Sequence, residues 1–277
     1  MALALLRSND FAERVNQTSS EGDLRSLEIE ILNYLETRPA DVVKTMIALI
    51  ACYIKLDDIK NAEVMLERCY SHVNGNVPFY LELFKAAIKN RKGNTKEAVE
   101  ILRKLLKDNT LIERERISAL VSLAVYNSNL SNYEEIHKVV LELWNMVCPN
   151  SKIDFDDNSF YSRVSQYTDE EPLIRVMSIL ESYLNGKELL KDQTYSDIYE
   201  YIKDYSNNNQ DIDDVIPYED IDIEFPDIKY FSLKIISKPM SIEEEFDLEL
   251  YIYKLIISKY PGVLVLVNVI GNSRVSN

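Results

Sequence analysis

The sequence predicts a mainly α-helical protein: a solenoid of helix-turn-helix pairs followed by a small C-terminal α/β element of strand, helix and strand. A pattern that recurs at intervals of 35 to 38 residues predicts the solenoid. Six glycines and eight prolines among 277 residues are too few for a loop-rich or fibrous chain and favour long regular elements. After residue 227 the apolar residues change to strand-like spacing, which predicts the α/β element.

The repeat is clearest in two lines of sequence, KLDDIKNAEVMLERCYSHVNGN and RKGNTKEAVEILRKLLKDNT. When Ala62 is aligned on Ala98, a turn residue and two apolar residues recur at the same offsets. The aligned pairs are Asp57 with Gly93, Leu66 with Leu102, and Cys69 with Leu105. The same frame fits two further segments, and the four anchor residues, 35, 36 and 38 residues apart, are Leu27, Ala62, Ala98 and Ile136. A period of this length made of two helices is typical of a helical solenoid.

Each predicted repeat consists of two helices joined by a turn. In the first repeat, helical spacing up to Val15 is followed by a turn at Gly22 and by a second helix that stops at Pro39. The second repeat begins with a helix from about residue 40 to residue 55. Pro78 suits the first turn of the next first helix, and the fourth repeat begins with the helix of ERERISALVSLAVYN.

Residues 1–150 resemble four tetratricopeptide repeats. That family has a small residue or Gly at the turn, Tyr two positions on, Ala at the start of the second helix, and Pro at its end. The residues that match are Gly22, Gly93, Tyr133, Ala62, Ala98, Pro39 and Pro149. The chain departs from the pattern because Trp is missing from the first helices and because Leu27 and Ile136 stand where Ala is usual. A related superhelical helix-pair repeat therefore stays open as an alternative.

The resemblance implies that the first helix of each repeat lines a concave groove. The residues it places there are Lys44, Ile47, Ala48, Ala51 and Lys55 in the second repeat, Tyr80, Leu83, Phe84, Ala87 and Arg91 in the third, and Ser118, Val121, Ser122 and Val125 in the fourth. Family members that grip a carboxylate use Asn where this chain has Ala51, Ala87 and Val125, so an apolar trough with cationic edges is expected instead. Such a trough suits an amphipathic helix or an extended apolar segment.

Two other interpretations of these positions remain open. The apolar side chains could simply pack between neighbouring repeats, or the groove could hold the chain's own amphipathic helix from Ser241 to Lys259.

The second half of the chain loses the repeat frame. Residues 151–210 are predicted to form further helices, with a capping pair as one candidate arrangement, and Asn185-Gly186 is predicted to end one of these helices. The run of acidic residues over 211–227 indicates an exposed connector. Residues 228–277 form the α/β element, in which Ser241 and Glu244 make a capping box at the start of the helix.

The net charge of −15 is concentrated in the second half, since residues 1–150 carry 19 Lys+Arg against 21 Asp+Glu and residues 151–277 carry 12 against 25. Nucleic acids and anionic membranes both require a cationic face, so these partners are disfavoured and a basic protein is weakly favoured. The three cysteines form no CxxC pair, and no apolar run has the length of a membrane span or the basic flank of a signal peptide. A cytoplasmic protein with reduced thiols is expected.

Catalytic motifs are missing from the sequence. His72 and His137 are the two histidines, with no metal-ligand spacing near either, and no GxxxxGKS, GxGxxG or GxSxG motif occurs. The acidic run does not fit a calcium loop, because Ile216 stands where such a loop needs Gly. We therefore expect no cofactor, no bound metal and no enzymatic activity.

The sequence thus predicts a non-catalytic protein-interaction scaffold, adaptor or chaperone-like binder that uses the concave groove. Two alternatives remain: a regulator that senses a short peptide with the same repeats, and a metal-dependent enzyme that uses acidic residues after residue 150.

Overall fold

Helices that pack in neighbouring pairs form the first half of the chain. The computed structural model describes residues 11–37, 39–73, 75, 77–149, 151–168, 171–221 and 229–271. Helices α2 to α6 each pack against the next along the chain, and α3 also packs against α5. The helices of this half are α1 (residues 11–17), α2 (Glu21–Glu36), α3 (Val42–Lys55), α4 (Ile59–His72), α5 (Phe79–Arg91), α6 (Thr95–Leu105) and α7 (Glu113–Asn129).

The second half combines five helices with a three-stranded sheet. Its elements are α8 (Tyr133–Val147), α9 (Asn158–Val164), α10 (Glu171–Leu189), α11 (Gln193–Asn207), β1 (Ile212–Ile221), β2 (Lys229–Ser237), α12 (Ile242–Lys259) and β3 (Leu266–Gly271). The predicted class, mainly α with a small C-terminal α/β element, is confirmed. Among the described residues, no helix is both long enough and apolar enough to cross a membrane.

The chain divides into two units, Met1–Tyr126 and Asn127–Asn277. This boundary lies inside the predicted fourth repeat rather than at residue 150. Helix α8, the second helix of that repeat, packs against α9 and α10 and so belongs to the second unit.

The turn between paired helices has the same backbone geometry in three repeats. Asp57, Gly93 and Ser131 each stand five positions before an anchor residue, and each has a positive φ, of 55°, 79° and 52°. After each of them, the next backbone N–H donates to a carbonyl five residues earlier. The three hydrogen bonds run from Asp58 to Tyr53 at 2.9 Å, from Asn94 to Lys89 at 2.9 Å, and from Asn132 to Asn127 at 3.0 Å. This is the Schellman pattern, in which a left-handed residue reverses the chain at the end of a helix.

The first predicted turn is different. Gly22, assigned to the turn position by its place in the frame, lies inside the first turn of α2, because Ser20 caps that helix by accepting from the backbone N–H of Asp23 at 3.5 Å. The chain therefore reverses between residues 17 and 20, before Gly22.

Apolar residues from the paired helices form the core of the first unit. The anchors Leu27 and Ala62 are buried there, and Ala98 is buried on α6. The anchor Ile136 is buried in the second unit. Since Ala adds no side chain beyond Cβ, it lets its helix approach a neighbour closely. Each buried Leu or Ile contributes about 1.5 to 3 kcal/mol.

Strand β1 occupies most of the segment that the sequence predicted to be an exposed acidic connector. Over residues 212–221 the prediction is wrong, and residues 222–228 lie outside the described part of the chain. The acidic residues Asp213 and Asp214 are exposed, whereas Val215 and Ile216 are buried and pair with β2. Pro217, which has no N–H, is tolerated because β1 is an edge strand. The α/β element therefore contains one more strand than predicted.

The sheet has the order β1-β2-β3, with β2 antiparallel to β1 and parallel to β3. Helix α12 connects the parallel pair and packs on β3. One face of the sheet forms a core with α11 and α12, to which α11 contributes Ile198 and Ile202 and α12 contributes Ile252 and Ile256. The capping box at the start of α12 is confirmed, since Ser241 and Glu244 exchange hydrogen bonds of 2.7 and 3.3 Å.

Gly186 lies within α10 instead of ending it. A Cβ at this position would lie 2.5 Å from the Cα and the N of Tyr218 and 2.7 Å from the carbonyl carbon of Pro217. Helix α10 therefore packs directly on the backbone of β1, and only a residue without a side chain fits.

We expect Gly186→Ala to lower the free energy of unfolding by about 2 kcal/mol, because the new methyl group meets backbone that cannot move aside. Gly22→Ala is the matched control. Its Cβ would meet only the Ser20 Oγ at 3.9 Å, so a helical Gly→Ala change there should be neutral or stabilise by up to about 1 kcal/mol. Urea unfolding of both variants measures the difference, and equal effects would contradict the close contact.

The recurring turns predict opposite effects for two substitutions. Gly93→Ala places a side chain on a left-handed residue and should cost about 1 kcal/mol. Ser131→Gly removes the same strain and should stabilise by about 0.5 to 1 kcal/mol. Thermal and urea unfolding check both signs, and a destabilised Ser131→Gly variant would mean that the turn geometry is wrong.

Candidate functional site

The predicted groove residues of the first unit fall into three classes of exposure. The half-buried ones are apolar or aromatic and are Ile47, Ala51, Tyr80, Leu83, Phe84, Ala87 and Val125, together with Ser122. The cationic residues Lys44, Lys55 and Arg91 are exposed. Ala48, Val121 and Ser118 are buried. Half-buried apolar side chains are those that a ligand could still contact.

Helices α3 and α5 bring two sets of these residues to one place, since the two helices pack against each other. Ile47 and Ala51 of α3 and Phe84 of α5 rest against the core of the unit. The ring of Phe84 lies 6.5 Å from that of Tyr80. These apolar side chains are therefore only partly covered, and the groove that they were predicted to line stays a prediction.

Three predicted lining residues are part of the packing instead. Ala48, Val121 and Ser118 are only 1%, 4% and 7% exposed, so these side chains are not available to a ligand. Helical spacing identifies the side of a helix on which a residue lies but not how deeply that side is buried, which explains the difference.

Lys55 also has a structural role. Its Nζ donates to three backbone carbonyls, those of Val15 at 2.9 Å, Asn16 at 2.8 Å and Thr18 at 3.1 Å. These carbonyls lie at the C-terminal end of α1, where the helix dipole stabilises a cation. The ammonium therefore fixes α1 to α3. Arg91 forms an exposed ion pair with Asp57, at 3.4 Å.

Lys55→Met should lower the free energy of unfolding of the first unit by about 1.5 to 3 kcal/mol, because it removes charged hydrogen bonds to carbonyls that have no other helical partner. Lys44→Met is the control: it loses the same charge from an exposed position on the same helix and should change the stability by less than about 0.5 kcal/mol. Chemical denaturation compares the two, and equal losses would contradict the capping role.

The second unit contains a cluster of tyrosines and lysines around α8, α10 and the sheet. The rings of Tyr133 and Tyr183 stack at 5.1 Å. Lys234 lies 4.3 Å from the ring centroid of Tyr218, and its Nζ donates to the Tyr133 hydroxyl at 3.3 Å. Aromatic and cation–π contacts of this kind each stabilise packing by about 0.5 to 2 kcal/mol. The cluster therefore joins α8 and α10 to the sheet.

Three groups of this cluster perturb one another's protonation. Hydrogen bonds from Lys187 and Tyr183, both 2.5 Å long, lower the pKa of Glu134, and the Glu134 carboxylate in turn raises the pKa of Lys187. Burial, together with the bond to Glu134, raises the pKa of Tyr183 to about 12. At neutral pH the ion pair is therefore charged and the phenol neutral, which favours a structural role over nucleophilic chemistry.

The cysteine thiols are buried among the packed helices. Cys52, Cys69 and Cys148 are free and buried, and burial raises the pKa of Cys52 and of Cys69 to about 11, so these two thiols are protonated at neutral pH. In the described part of the chain, no three His, Cys, Asp or Glu side chains come together as a metal site would need. His72 belongs to the first unit and His137 to the second.

A second apolar surface, which the sequence analysis did not identify, lies on the second unit. Side chains of α12 and of the segment leading into β3 line a groove of about 270 Å³; they are Phe246, Glu249, Leu250, Tyr253, Leu264, Val265, Leu266 and Val267. The amphipathic pattern of α12 predicts a single apolar face, which would pack on the sheet. In the structure, further apolar residues of α12 lie outside the face that packs on the sheet.

The chain matches no protein-family model, no curated protein and no solved structure. The geometry of the two apolar surfaces is therefore the basis for inferring function.

Proposed function

We propose that this chain is a non-catalytic interaction protein, a scaffold or adaptor, whose first unit binds an apolar or amphipathic segment of another protein. The observation that supports the proposal is the packing of α3 against α5, two helices that both carry half-buried apolar side chains. An amphipathic segment lays its apolar side chains into a groove of this kind.

The recurring turn supports a repeat of the tetratricopeptide type. Asp57, Gly93 and Ser131 occupy the same position in the frame, with the same left-handed backbone and the same hydrogen bond. In that family the first helices face the bound peptide, and α3 and α5 are first helices in this frame. The assignment to that family, as opposed to a related helix-pair repeat, belongs to the proposal.

The chemistry of the groove indicates what it would bind. Tyr80, Leu83 and Phe84 give one turn of α5 a largely apolar surface, and large side chains of this type dominate binding energy in interfaces. Lys44 is exposed on α3, so an acidic residue beside the apolar anchors of the ligand would be favoured. Removing a central anchor of such an interface costs about 2 kcal/mol or more, which is at least roughly thirtyfold in affinity.

We expect Leu83→Asp to abolish partner binding while the helices remain folded. The full chain and the variant are used for affinity capture from the lysate of the native host, with quantitative mass spectrometry. Val64→Asp is the matched control, because Val64 is 51% exposed on α4, a second helix. A partner retained by the wild type and by Val64→Asp, and reduced at least roughly thirtyfold by Leu83→Asp, is the expected result.

Circular dichroism and thermal unfolding of each variant show whether folding is intact. If Leu83→Asp unfolds, Leu83→Ala and Tyr80→Ala replace it, since truncation is milder than a buried charge. A partner that all these variants retain at the wild-type level would refute the groove as its binding site.

A further inference from the structure

Helix α12 exposes a continuous apolar stripe. Ile242 and Phe246 are 67% and 62% exposed, and Leu250, Tyr253 and Ile257 continue the stripe at spacings of four, three and four residues. This spacing follows one side of a helix. The stripe extends for about 22 Å, at 1.5 Å per residue. It is distinct from the side that packs on the sheet, which buries Ile252 and Ile256.

The stripe continues onto the segment beside β3. Leu264 is 54% exposed and Leu266 is 37% exposed, and both line the groove next to Phe246 and Leu250. Among the described residues, β3 pairs with β2 alone, so this surface lies at the open side of the sheet.

The edge of β3 itself is partly closed. The backbone N–H of Gly271 donates to the Glu245 carboxylate at 3.1 Å, and that of Val269 approaches the Glu249 carboxylate at 3.5 Å. Carboxylates at a strand edge prevent the addition of another strand, because they already accept its N–H groups and add charge. An occupant of the surface is therefore expected to pack against α12 and not to extend the sheet.

We propose that the occupant is a second copy of this chain, and that two α12 helices pack antiparallel about a twofold axis near Leu250. In a twofold interface each residue of the stripe meets its counterpart in reverse order, so Phe246 of each copy lies opposite the C-terminal half of the other stripe. Leu250 is the third of the five stripe residues, so an axis at Leu250 also passes through the middle of the apolar contact.

The charges along α12 are complementary in the antiparallel arrangement. Glu243, Asp247 and Lys254 are exposed and share one side of the helix, at spacings of four and seven residues. Because Leu250 lies almost midway between Asp247 and Lys254, antiparallel packing places each Asp247 opposite Lys254 of the other copy.

The exposed area is sufficient for a dimer. Taking about 200 Å² for a fully exposed large side chain, the seven apolar side chains expose roughly 600 to 700 Å² per copy. Two copies would bury roughly 1,300 Å², which is within the range of specific interfaces. A single exposed apolar patch of this size is also at the upper limit of what monomers carry.

The test is the mass of the full chain in solution, measured by light scattering after gel filtration at about 100 µM, a concentration above a micromolar Kd. We expect twice the monomer mass of 32.1 kDa. Phe246→Asp should weaken the dimer about a hundredfold by removing a central anchor. Ile174→Asp, at a 43% exposed apolar residue of α10, is the matched control and should leave the dimer intact.

Charge reversal tests the orientation. Lys254→Glu should weaken the dimer about tenfold, because two ion pairs become repulsive, and adding Asp247→Lys to it should restore the affinity. A wild-type monomer at this concentration, or a dimer that neither Phe246→Asp nor Leu250→Asp weakens, would refute the proposal. Photo-crosslinking from position 246 to a different protein, with the chain itself monomeric, would also refute it and would assign the surface to that protein.

Discussion

The left-handed turn between paired helices is the constraint on which the repeat-like half of the chain depends. One residue with positive φ and one hydrogen bond across five residues reverse the chain within two to three residues, so the second helix returns along the first. Asp57 and Gly93 fix this reversal in two successive pairs of the first unit. The first helices of these two pairs, α3 and α5, also pack against each other.

A different constraint governs the second unit. The parallel pairing of β2 with β3 requires a crossover connection, which α12 provides, so that helix must cover the sheet on one side. Helix α10 packs closely on the backbone of β1 at Gly186. Strand β3 has Glu245 and Glu249 at its edge and an apolar stripe beside it.

Helix pairs were predictable from the sequence because periodicity and turn position are local properties. Gly93 marks a left-handed turn by its residue type, whereas Asp57 is found only by its alignment with Gly93. The class of the C-terminal element was equally predictable, since the spacing of β2, α12 and β3 and the capping box at Ser241 are local. These features needed no knowledge of tertiary contacts.

The errors came from residues whose role depends on such contacts. The Asn185-Gly186 pair is typical of the end of a helix. In the structure Gly186 lies within α10, where the nearby backbone of β1 leaves room only for a glycine. The acidic residues of β1 have the composition of an exposed connector, which is why the sequence did not predict a strand there. The strand is stabilised by the pairing of Val215 and Ile216 with β2, a tertiary contact. Lys55 has the spacing of a groove residue, yet its ammonium group donates hydrogen bonds to carbonyls at the C-terminal end of α1.

Net charge and local charge have opposite effects on association of the second unit. The 12 Lys+Arg and 25 Asp+Glu of residues 151–277 give each copy a strong negative field, which opposes random contact between copies. Salt at physiological strength screens that field beyond about 8 Å. Contacts shorter than this, such as one between Asp247 and Lys254 across a twofold axis, are therefore governed by local complementarity. The strong negative charge of this unit thus opposes nonspecific aggregation, while the proposed antiparallel register brings Asp247 of one copy to Lys254 of the other.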